Sequence, residues 1–426
     1  MGQSLQAVCA ATADAAYHVT GVKILFLTQV LPFPLDAGPK VRAYYALRRL
    51  AAQGHAVTLV SFVRAMDGAA ALDHLRSLCD RVLTVPLRRA RWRDGAAAVR
   101  SLLTGEPLLI ARDRMGTMTK VVRSLAAEVR FDAVHADQLW MAPYALAAQA
   151  TARQAGWRPQ LVLDQHNAVH LIPERLATAA RDPLTRLAYR RERARMADYE
   201  ARTCLAFDQV VTVTQDDRDC LLQLYRNGRR PNFAAVIPIC IDPEAVPAGT
   251  RQAAGPELLF VGGMHWPPNA DGVTWFADEV LPLVRKGLPN ARFTAVGKQP
   301  PRRPGAAPLA GLHLSGYVAE LQPFWERSAA FVVPLRAGGG MRVKILDAWA
   351  RGLPVVSTTI GAEGLAWAHG ENLLIADTAA DFAAAVTRVL TNPDLAARLA
   401  QGGRATVERH YDWRTAYAAW DGIYPR

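Results

Sequence analysis

The segment PLRAGGGMRVKILDAWARGLPVV, Pro334 to Val356, decides how this chain folds. An apolar run ends at Leu335, three consecutive glycines follow at 338–340, and a helical stretch begins near Arg342 before the next apolar run. Glycine lets the backbone approach a ligand closely, and the first turn of a helix presents unpaired N–H groups. The segment therefore predicts a strand, loop and helix that bind a phosphate or diphosphate.

Two cations and one carboxylate lie in the predicted helix of this segment. Arg342 and Lys344 place two positive charges in its first turn, and charged donors bind phosphate oxygens strongly. Asp347 follows five residues after Arg342, where a carboxylate accepts hydrogen bonds from two sugar hydroxyls. The alternative interpretation is a glycine-rich turn followed by a solvated helical turn.

Short apolar runs separated by helical stretches continue in both directions from this segment. Near-continuous apolar strands between helices are typical of a parallel sheet covered on both faces. We therefore predict an α/β protein with two Rossmann-like parallel-sheet domains facing each other across a cleft, which is the expected active site. The runs are VKILFLT (22–28), AVTLVSF (56–62), AVH (133–135), LVLD (161–164), QVVTV (209–213), ELLFVG (257–262), ARFTAVG (291–297), LHLSG (312–316), AFVVPL (330–335) and PVVST (354–358).

The predicted domain organisation follows from these runs and from a Pro- and Gly-bearing stretch between the two sets. We expect residues 1–21 to form an extension without fixed structure and residues 238–256 to form a linker. The predicted units are a first Rossmann-like domain (22–237), a second Rossmann-like domain (257–405) and a closing C-terminal helix (406–426).

Length, composition and charge restrict the protein class. The 426 residues predict two or three domains, and 51% hydrophobic with 21% charged residues is typical of globular proteins. The formal net charge is +12, and residues up to 235 hold 32 of the 50 basic and 21 of the 38 acidic residues. This basic half indicates a nucleic acid, an anionic membrane or a phosphorylated substrate as a partner.

Cysteine spacing and hydropathy indicate the compartment. The five cysteines include no C-x-x-C pair, so we interpret them as reduced thiols of a cytoplasmic protein. No run of 18 apolar residues is present, and the N-terminus lacks the basic region of a secretory signal, so we expect no transmembrane helix. The inner face of a membrane is the alternative location.

Several catalytic motifs are missing from the sequence. It contains no G-x-G-x-x-G after a strand and no G-x-x-x-x-G-K-[ST], which disfavours NAD(P) oxidoreductases and P-loop ATPases. It also contains no G-x-S-x-G and no H-E-x-x-H, which disfavours serine hydrolases and zinc proteases. We expect neither a cofactor nor a metal.

The segment Pro334 to Val356 resembles the GT-B retaining glycosyltransferases, in particular the bacterial polysaccharide and lipid-linked sugar transferases, and the resemblance covers Val22 to Tyr424. In that family an E-x7-E pattern precedes A-x-G-x-P-V-V. The second motif is matched by Ala350, Gly352, Pro354, Val355 and Val356. The second acidic position falls on Asp347 and the first on Gly339, where the family's glutamate meets the sugar hydroxyls. This departure leaves the donor sugar open.

The resemblance implies that the first domain (22–237) binds the acceptor and the second (257–405) binds the nucleotide sugar. It also implies a set of donor-binding residues. Gly38 would approach the donor phosphates, and the turn SGYV, 315–318, would contact the nucleotide base. The basic pair that often follows the family's first strand of the second domain is absent after Gly263, so the resemblance assigns that role to Arg342 and Lys344. The implied donor site is Gly38, Gly263, Tyr317, Val318, Gly339, Gly340, Met341, Arg342, Lys344 and Asp347.

Two polar strand ends correspond to catalytic positions of the family. FDAVHADQLW aligns His135 with the first histidine of an H-x-H element and Asp137 with the second, and DQHNAVH offers His166 and Asn167. A histidine at a strand end is also typical of structural hydrogen bonding. The implied catalytic residues are Asp137, His166, Arg342 and Lys344, and the implied acceptor contacts are Lys40, Arg42, His135 and Asn167.

Two basic stretches suggest surface helices. Arg88 to Leu103 separates an apolar face with Trp92, Val99 and Leu103 from an arginine face, as in a helix on an anionic membrane, with a solvated helix as the alternative. Arg181 to Arg202 interleaves seven arginines with four acids, which favours a salt-bridged surface helix. Few aromatic residues accompany these arginines, so we expect no nucleic-acid binding.

The sequence and the resemblance together predict a retaining, metal-independent hexosyltransferase. It would move a sugar from a nucleoside-diphosphate donor to the hydroxyl of a glycan, lipid-linked or small-molecule acceptor, in polysaccharide or glycoconjugate biosynthesis. Two alternatives remain. One is a nucleotide-sugar epimerase or hydrolase of similar fold, and the other is a non-catalytic, membrane-associated partner of a polysaccharide assembly complex.

Overall fold

The computed structural model describes residues 21–64, 67–87, 91–179, 182–225, 228–246, 255–301, 309–318 and 320–425. The predicted extension therefore lies outside the described residues except for Gly21, as do part of the predicted linker and residues 88–90 of the first basic stretch. Within the described ranges, every helix is too short or too polar to span a lipid bilayer.

The first domain is a parallel sheet with helices between its strands. Among the described residues its seven strands lie in the order β3-β2-β1-β4-β5-β6-β7, and the order reverses between β1 and β4. The strands are β1 (Lys23–Thr28), β2 (Ala56–Val63), β3 (Arg81–Pro86), β4 (Ala133–Asp137), β5 (Gln160–Gln165), β6 (Gln209–Thr212) and β7 (Phe233–Val236). The helices are α1 (Gly38–Ala52), α2 (Ala69–Arg76), α3 (Arg91–Thr104), α4 (Leu108–Arg112), α5 (Gly116–Glu128), α6 (Ala142–Gln154), α7 (Leu171–Ala179), α8 (Pro183–Ala206) and α9 (Gln215–Leu222).

The second domain repeats this architecture. Its six described strands lie in the order β10-β9-β8-β11-β12-β13, which reverses between β8 and β11. The strands are β8 (Glu257–Val261), β9 (Arg292–Val296), β10 (Leu312–Gly316), β11 (Ala330–Val333), β12 (Val355–Ser357) and β13 (Leu374–Ile375). The helices are α10 (Pro267–Trp275), α11 (Leu281–Gly287), α12 (Gln322–Arg327), α13 (Val343–Ala350), α14 (Ala379–Thr391), α15 (Pro393–His410) and α16 (Trp413–Ala416), and a π-helical turn, Phe276–Val280, joins α10 to α11.

The C-terminal segment returns to the first domain. A 3-10 helix, Tyr417–Gly422, follows α16 and packs against α1, and Trp420 is fully buried there. The hydroxyl of Tyr424 lies 2.8 Å from Nδ1 of His135 in β4. Because α15 runs on to His410, the boundary expected between 405 and 406 falls inside a helix.

The predicted fold class is confirmed: two parallel α/β sheets are present, and each predicted apolar run contributes to a strand. Three strands were missed, namely β3, β7 and β13, and all three lie at sheet edges. An edge strand has a neighbour on one side only, so its residues are less buried and its apolar pattern is weaker.

Candidate functional site

The glycine-rich loop after β11 faces the first domain. Gly338 and Gly340 have positive φ angles of 121° and 79°, a conformation that glycine adopts without strain. A Cβ built on Gly340 would lie 3.8 Å from Cβ of Asn167, in the loop after β5. A Cβ built on Gly38, at the start of α1, would lie 3.3 Å from Cγ2 of Val343. Glycines at these positions thus allow the two domains to approach closely.

Arg342 lies immediately before α13 and is buried. Its Nη1 donates to the carbonyl of Gly339 at 2.7 Å, and its Nε and Nη2 each donate to the carbonyl of Ile360 at 3.3 Å. Burial lowers the pKa of Arg342 to about 10, against the opposing effect of Glu363. Much of its hydrogen-bonding capacity therefore holds the loop itself.

Lys344, in the first turn of α13, is a cation without a carboxylate partner among the described residues. Its Nζ donates to Oδ1 of Asn269 at 3.1 Å and lies 4.2 Å from the ring centroid of Phe260. A Cβ on Gly262 would lie 2.7 Å from this Nζ, so the absence of a side chain there makes room for the ammonium group. Burial and then the charge of Arg342 lower the pKa of Lys344 to about 7.

Asp347 lies one turn beyond Lys344 on the same helix, so the two side chains share a face. Among the described residues, none donates a hydrogen bond to its carboxylate. Burial raises the pKa of Asp347 to about 6, with Arg351 opposing the shift. A partly buried carboxylate with free acceptor capacity can bind hydroxyl groups of a ligand.

Other residues of the implied donor site lie around the edge of the second sheet. Tyr317 follows β10 and is 66% exposed, and Nζ of Lys298 lies 4.7 Å from its ring centroid. Val318 is half-buried beside it. The carbonyl of Gly263 accepts from Nδ2 of Asn269 at 2.9 Å. Met341 is buried, and its Sδ accepts from the backbone N–H of Ile239 at 3.3 Å.

A buried network lies at the carboxyl ends of β4 and β5. Asp137 and Asp164 are paired in the register of these strands, and Nε2 of His166 lies 2.8 Å from Oδ1 of Asp137 and 3.6 Å from Oδ2 of Asp164. The next residue after Asp137, Gln138, has a φ of 72°, which is strained for a residue with a side chain. Such strain concentrates at functional sites.

The two carboxylates determine the charge of His166. Although burial opposes the protonated form, Asp137 and Asp164 raise the pKa of His166 to about 9. Burial raises the pKa of Asp137, whereas Asp164 keeps a pKa below its ordinary value because Arg42 and His166 oppose the effect of burial. The imidazole of His166 is therefore protonated at neutral pH. Its side chain is 9% exposed, and Asp137 lies fully buried behind it.

Two of the residues expected to contact an acceptor lie in the interior. Arg42 is fully buried: its Nε donates to both oxygens of Asp164, at 2.9 and 2.7 Å, and its Nη1 donates to the carbonyl of Ile237 at 2.6 Å. His135 is also fully buried, with its ring stacked 4.0 Å from that of Phe26. Burial lowers the pKa of His135 to about 3. Both side chains are fully buried and expose no surface to the cleft in this structure, and their role as acceptor contacts stays a prediction.

The remaining expected acceptor contacts are accessible to different extents. The Nζ of Lys40 forms an ion pair with Asp36 at 2.8 Å, and 12% of the Lys40 side chain is exposed. Asn167 lies against Gly340, as described above, and is half-buried. Asn167 is thus the expected acceptor contact that lies between the two domains.

One group of described residues, His135, Asp137 and Asp164, brings its possible metal-ligating atoms within 4.8 Å of one another. However, Arg42 already occupies both oxygens of Asp164, and His166 occupies Oδ1 of Asp137. These two cations compensate the charge of the carboxylates, whereas Oδ2 of Asp137 and Nε2 of His135 have no hydrogen-bond partner among the described residues. The expectation of a site without metal stays a prediction.

A cavity of about 870 Å³ opens between the domains beside the glycine-rich loop. Arg175 and Gly338 line it next to the loop, and Trp367 and Tyr411 line it from the second domain and the C-terminal segment. Neither Lys344 nor Asp347 lines this cavity, so these two side chains lie in a different part of the cleft.

Sequence reasoning missed Arg175, Glu363 and Asn269 as cleft residues. Arg175 in α7 and Glu363 after β12 join the two domains, and Asn269 orients Lys344. Asn269 follows the strand that the resemblance identified and could have been found as a polar residue near that strand end. Arg175 and Glu363 lie 188 positions apart in the chain, and neither belongs to a motif.

Two family models match the chain and together cover both domains. The model of Glycosyltransferase Family 4 matches residues 37–245, and the model of Glycosyl transferases group 1 matches residues 255–392. The chain belongs to the GT-B glycosyltransferases. The two sheets, the cleft and the loop after β11 therefore belong to a glycosyltransferase architecture.

Curated relatives of this GT-B glycosyltransferase match it in part. An "Uncharacterized 44.6 kDa protein in cps region" of Klebsiella pneumoniae is 28% identical over 174 residues, which is 38% of this chain and 44% of that protein. Glycogen synthase of Mycobacterium tuberculosis is 28% identical over 229 residues, 51% of this chain and 54% of that protein. The chain thus spans about half the length of these relatives.

Solved structures match this GT-B glycosyltransferase over nearly its whole length. Sucrose-phosphate synthase of Thermosynechococcus elongatus has a TM-score of 0.65 at 16% identity, covering 94% of this chain and 98% of that one. A crystal structure of Anabaena HepE in complex with UDP and glucose has a TM-score of 0.63 at 14% identity, covering 94% and 99%. At these identities the likeness shows the fold.

Proposed function

We propose that this protein transfers a sugar from a nucleoside-diphosphate donor to an acceptor hydroxyl, with retention of the anomeric configuration. Lys344 is the observation that carries the proposal. A largely desolvated ammonium group without a carboxylate partner favours binding of an anion. A diphosphate suits this position because a glycine-rich loop and the first turn of α13 lie beside it.

The donor-side residues have distinct roles in this proposal. Negative charge grows on the departing diphosphate, and Lys344, together with the free N–H groups of Arg342 and the amides near Gly340, stabilises it without reorganisation. Asp347 accepts hydrogen bonds from two hydroxyls of the donor's ribose. Tyr317 and Val318 lie at the exposed end of β10, where a nucleotide base can be bound.

His166 acts on the sugar side of the cleft. Because its pKa of about 9 keeps it protonated at neutral pH, it supplies positive charge and does not act as a general base. Asp137 is a positioning residue, since it lies behind the imidazole and has no exposed surface. Asn167, which lies against Gly340, is placed to contact the acceptor. We expect transfer to proceed without a divalent metal, so EDTA should leave the rate unchanged.

The proposal includes an acceptor that is a glycan or lipid-linked molecule, and contact of the first domain with a membrane. In α3, Val99 and Leu103 are 57% and 82% exposed, whereas Ala97 and Ser101 face the protein. The apolar face predicted from the sequence is thus directed outward. An outward apolar helix face beside basic residues is typical of a helix that lies on an anionic membrane.

A thermal-shift panel of UDP, GDP, ADP, TDP and CMP, each with and without its common sugars, tests the donor site. UDP is the first candidate, because HepE has been crystallised with UDP-glucose and TarM of Staphylococcus aureus with UDP. A ligand at about 100 times its Kd adds roughly 2.7 kcal/mol to stability. We expect one diphosphate to stabilise the protein, Lys344→Ala to remove the shift, and the exposed control Lys286→Ala to retain it.

Two results would count against the proposal. If none of the nucleotides stabilises the protein, the cationic region of the cleft does not bind a donor, and the non-catalytic alternative is favoured. If a nucleotide sugar is consumed at the same rate with and without any acceptor, the protein is a hydrolase or epimerase instead.

A further inference from the structure

Residues 183–188, which form the start of α8, are exposed. The helix begins at Pro183, where Asp182 caps it by accepting from the N–H of Thr185 at 2.7 Å. Leu184 and Leu187, in its first two turns, are 77% and 64% exposed. Two large apolar side chains on adjacent turns form a patch that solvent does not favour.

This half of α8 is also strongly basic. Residues 183–195 contain five arginines and one glutamate. The predicted salt-bridged arrangement is found at Arg202 with Asp198 and at Arg193 with Glu174 of α7. By contrast, Arg190 and Arg191 form no ion pair with any described residue.

The acids that were expected to neutralise α8 are engaged elsewhere. Glu200 is fully buried and accepts from His170 and from backbone N–H groups of the loop before α7. Asp182 caps the helix, and Glu192 accepts from the N–H of Leu109 at 3.4 Å. The sequence pattern could not reveal this for Asp182 and Glu192, because each is within helical reach of an arginine, Arg186 and Arg195 respectively.

Helix α3 and helix α8 contact each other at this surface. Nη1 of Arg195 lies 3.3 Å from Oγ of Ser101 in α3. Leu184 and Arg191 precede Arg195 by eleven and four residues, so they lie on the same side of α8 as the contact. On α3, the exposed Leu102 and Leu103 directly follow Ser101. We define the α3–α8 surface as Val99, Leu102, Leu103, Leu184, Leu187, Arg190 and Arg191.

Helix α7 connects this surface with the cleft. Glu174 of α7 forms an ion pair with Arg193 of α8 at 3.1 Å. The next residue, Arg175, forms an ion pair with Glu363 in the cleft, and Gly339 lies beside it. One turn of α7 therefore contacts both the basic helix and the glycine-rich loop.

We propose that the α3–α8 surface docks on an anionic lipid bilayer, with its leucines at the headgroup boundary and its arginines on lipid phosphates. This inference rests on the proposed function, to which it adds helix α8 as part of the membrane contact and a path along α7 by which a lipid-linked acceptor reaches the cleft. Charge selects the bilayer over a second copy of the chain, because two such arginine clusters would repel each other. Exposed leucines beside arginines match an interfacial surface.

Flotation of the full-length protein with vesicles tests this proposal without any catalytic step. We compare vesicles of phosphatidylcholine with vesicles that contain 30% phosphatidylglycerol. We expect the anionic vesicles to bind at least tenfold more protein, and 0.5 M NaCl to weaken that binding. Arg190→Gln/Arg191→Gln should reduce binding by roughly tenfold or more, since each arginine near an anionic surface contributes about a factor of five. Leu184→Gln/Leu187→Gln should also reduce it.

A matched control uses one exposed leucine and one exposed arginine of the second domain, Leu283→Gln/Arg398→Gln. This control should bind like the wild type. Equal binding to both vesicle types, undiminished binding of the α8 variants, or an equal loss in the control would overturn the proposal. So would light scattering that shows a dimer which Leu184→Gln/Leu187→Gln converts to a monomer.

The same variants separate this inference from the proposed function. Both α8 variants should retain the thermal shift with the donor nucleotide, because the donor site lies in the other domain. If vesicle binding fails while the nucleotide shift remains, the docking surface is wrong and the donor site stands. If the nucleotide shift fails while vesicle binding remains, the proposed function is wrong.

Discussion

Arg175 and Glu363 form an ion pair across the two domains, with Nη2 to Oε1 at 2.6 Å and Nη1 to Oε2 at 3.1 Å. The guanidinium group also occupies the space beside Gly339, because a Cβ on Gly339 would lie 2.5 Å from Nη1 of Arg175. In the glycosyltransferases that this chain resembles, a glutamate stands at the position of Gly339. In this chain the guanidinium group of Arg175, from the first domain, fills the space beside that position.

This relationship predicts that Gly339→Glu is tolerated. Gly339 has no positive φ, and the only close atoms are those at the flexible end of Arg175, so the new carboxylate can pair with Arg175 in place of Glu363. We expect its stability in urea to lie within about 1 kcal/mol of wild type. The matched controls Gly338→Glu and Gly340→Glu have positive φ and should lose about 1–2 kcal/mol. A larger loss of stability for Gly339→Glu than for both controls would show that Arg175 does not accommodate a carboxylate at position 339.

Lys344 should take up a proton when a diphosphate binds. Its pKa of about 7 means that it is mostly neutral at pH 8 in the free protein, and a bound anion favours the charged form. Calorimetry of UDP binding in buffers of different ionisation enthalpy should therefore report uptake approaching one proton at pH 8. Affinity should weaken as pH rises from 7 to 9. Lys344→Ala should abolish the proton uptake and cut transfer by about 10²-fold. Unchanged proton uptake in this variant would show that Lys344 is not the group that is protonated when UDP binds.

Asp347 should give the donor KM a dependence on pH near 6. Below its pKa of about 6 the carboxyl is protonated and accepts ribose hydroxyls less well, so the KM should rise as pH falls. Asp347→Asn should raise the KM and remove this dependence. Folding raises the pKa of Asp347, so the folded protein favours the neutral carboxyl group. The free energy of unfolding therefore decreases as pH rises through 6 and the buried carboxyl group becomes charged. Asp347→Asn should therefore increase the Tm more at pH 8 than at pH 4. An equal change in Tm at both pH values would show that burial does not raise the pKa of Asp347.

Glu200 should control His166 through the loop between β5 and α7. Its carboxylate accepts from Gln165, Val169 and His170, at both ends of the segment that carries His166. Glu200→Gln removes acceptor capacity from this buried site, so the loop should shift and the contact with Asp137 should loosen. An NMR titration should then show the pKa of His166 falling from about 9 toward its ordinary value.

The control for this experiment is Glu128→Gln, an exposed residue of α5, which should leave the titration unchanged. UDP affinity should be the same in Glu200→Gln and wild type, because the donor site lies in the second domain. A His166 pKa that stays near 9 in Glu200→Gln would show that Glu200 has no positioning role.

The sequence predicted the central strands well because their residues are buried on both faces and read as continuous apolar runs. It also singled out Lys344 and Asp347, which follow a strand end and a glycine run within one short segment, and their roles as site residues stay predictions. It did not show that the polar side chains of Arg42, in α1, and His135, in β4, point into the interior. The identity of a polar residue does not show whether its side chain points inward or outward. A carboxylate far away in the sequence, here Asp164, can become its partner in the interior.

By itself, the sequence determined the α/β architecture, the two tandem domains and the glycine-rich segment with its cations, because local apolar periodicity and short-range spacing encode these features. Tertiary structure alone decided that Arg175 reaches Gly339, that Trp420 and Tyr424 return to the first domain, and that Arg190 and Arg191 of α8 form no ion pair with a described residue. These features depend on contacts between residues far apart in the chain, and the partner of a charged side chain is selected by the packing of whole domains.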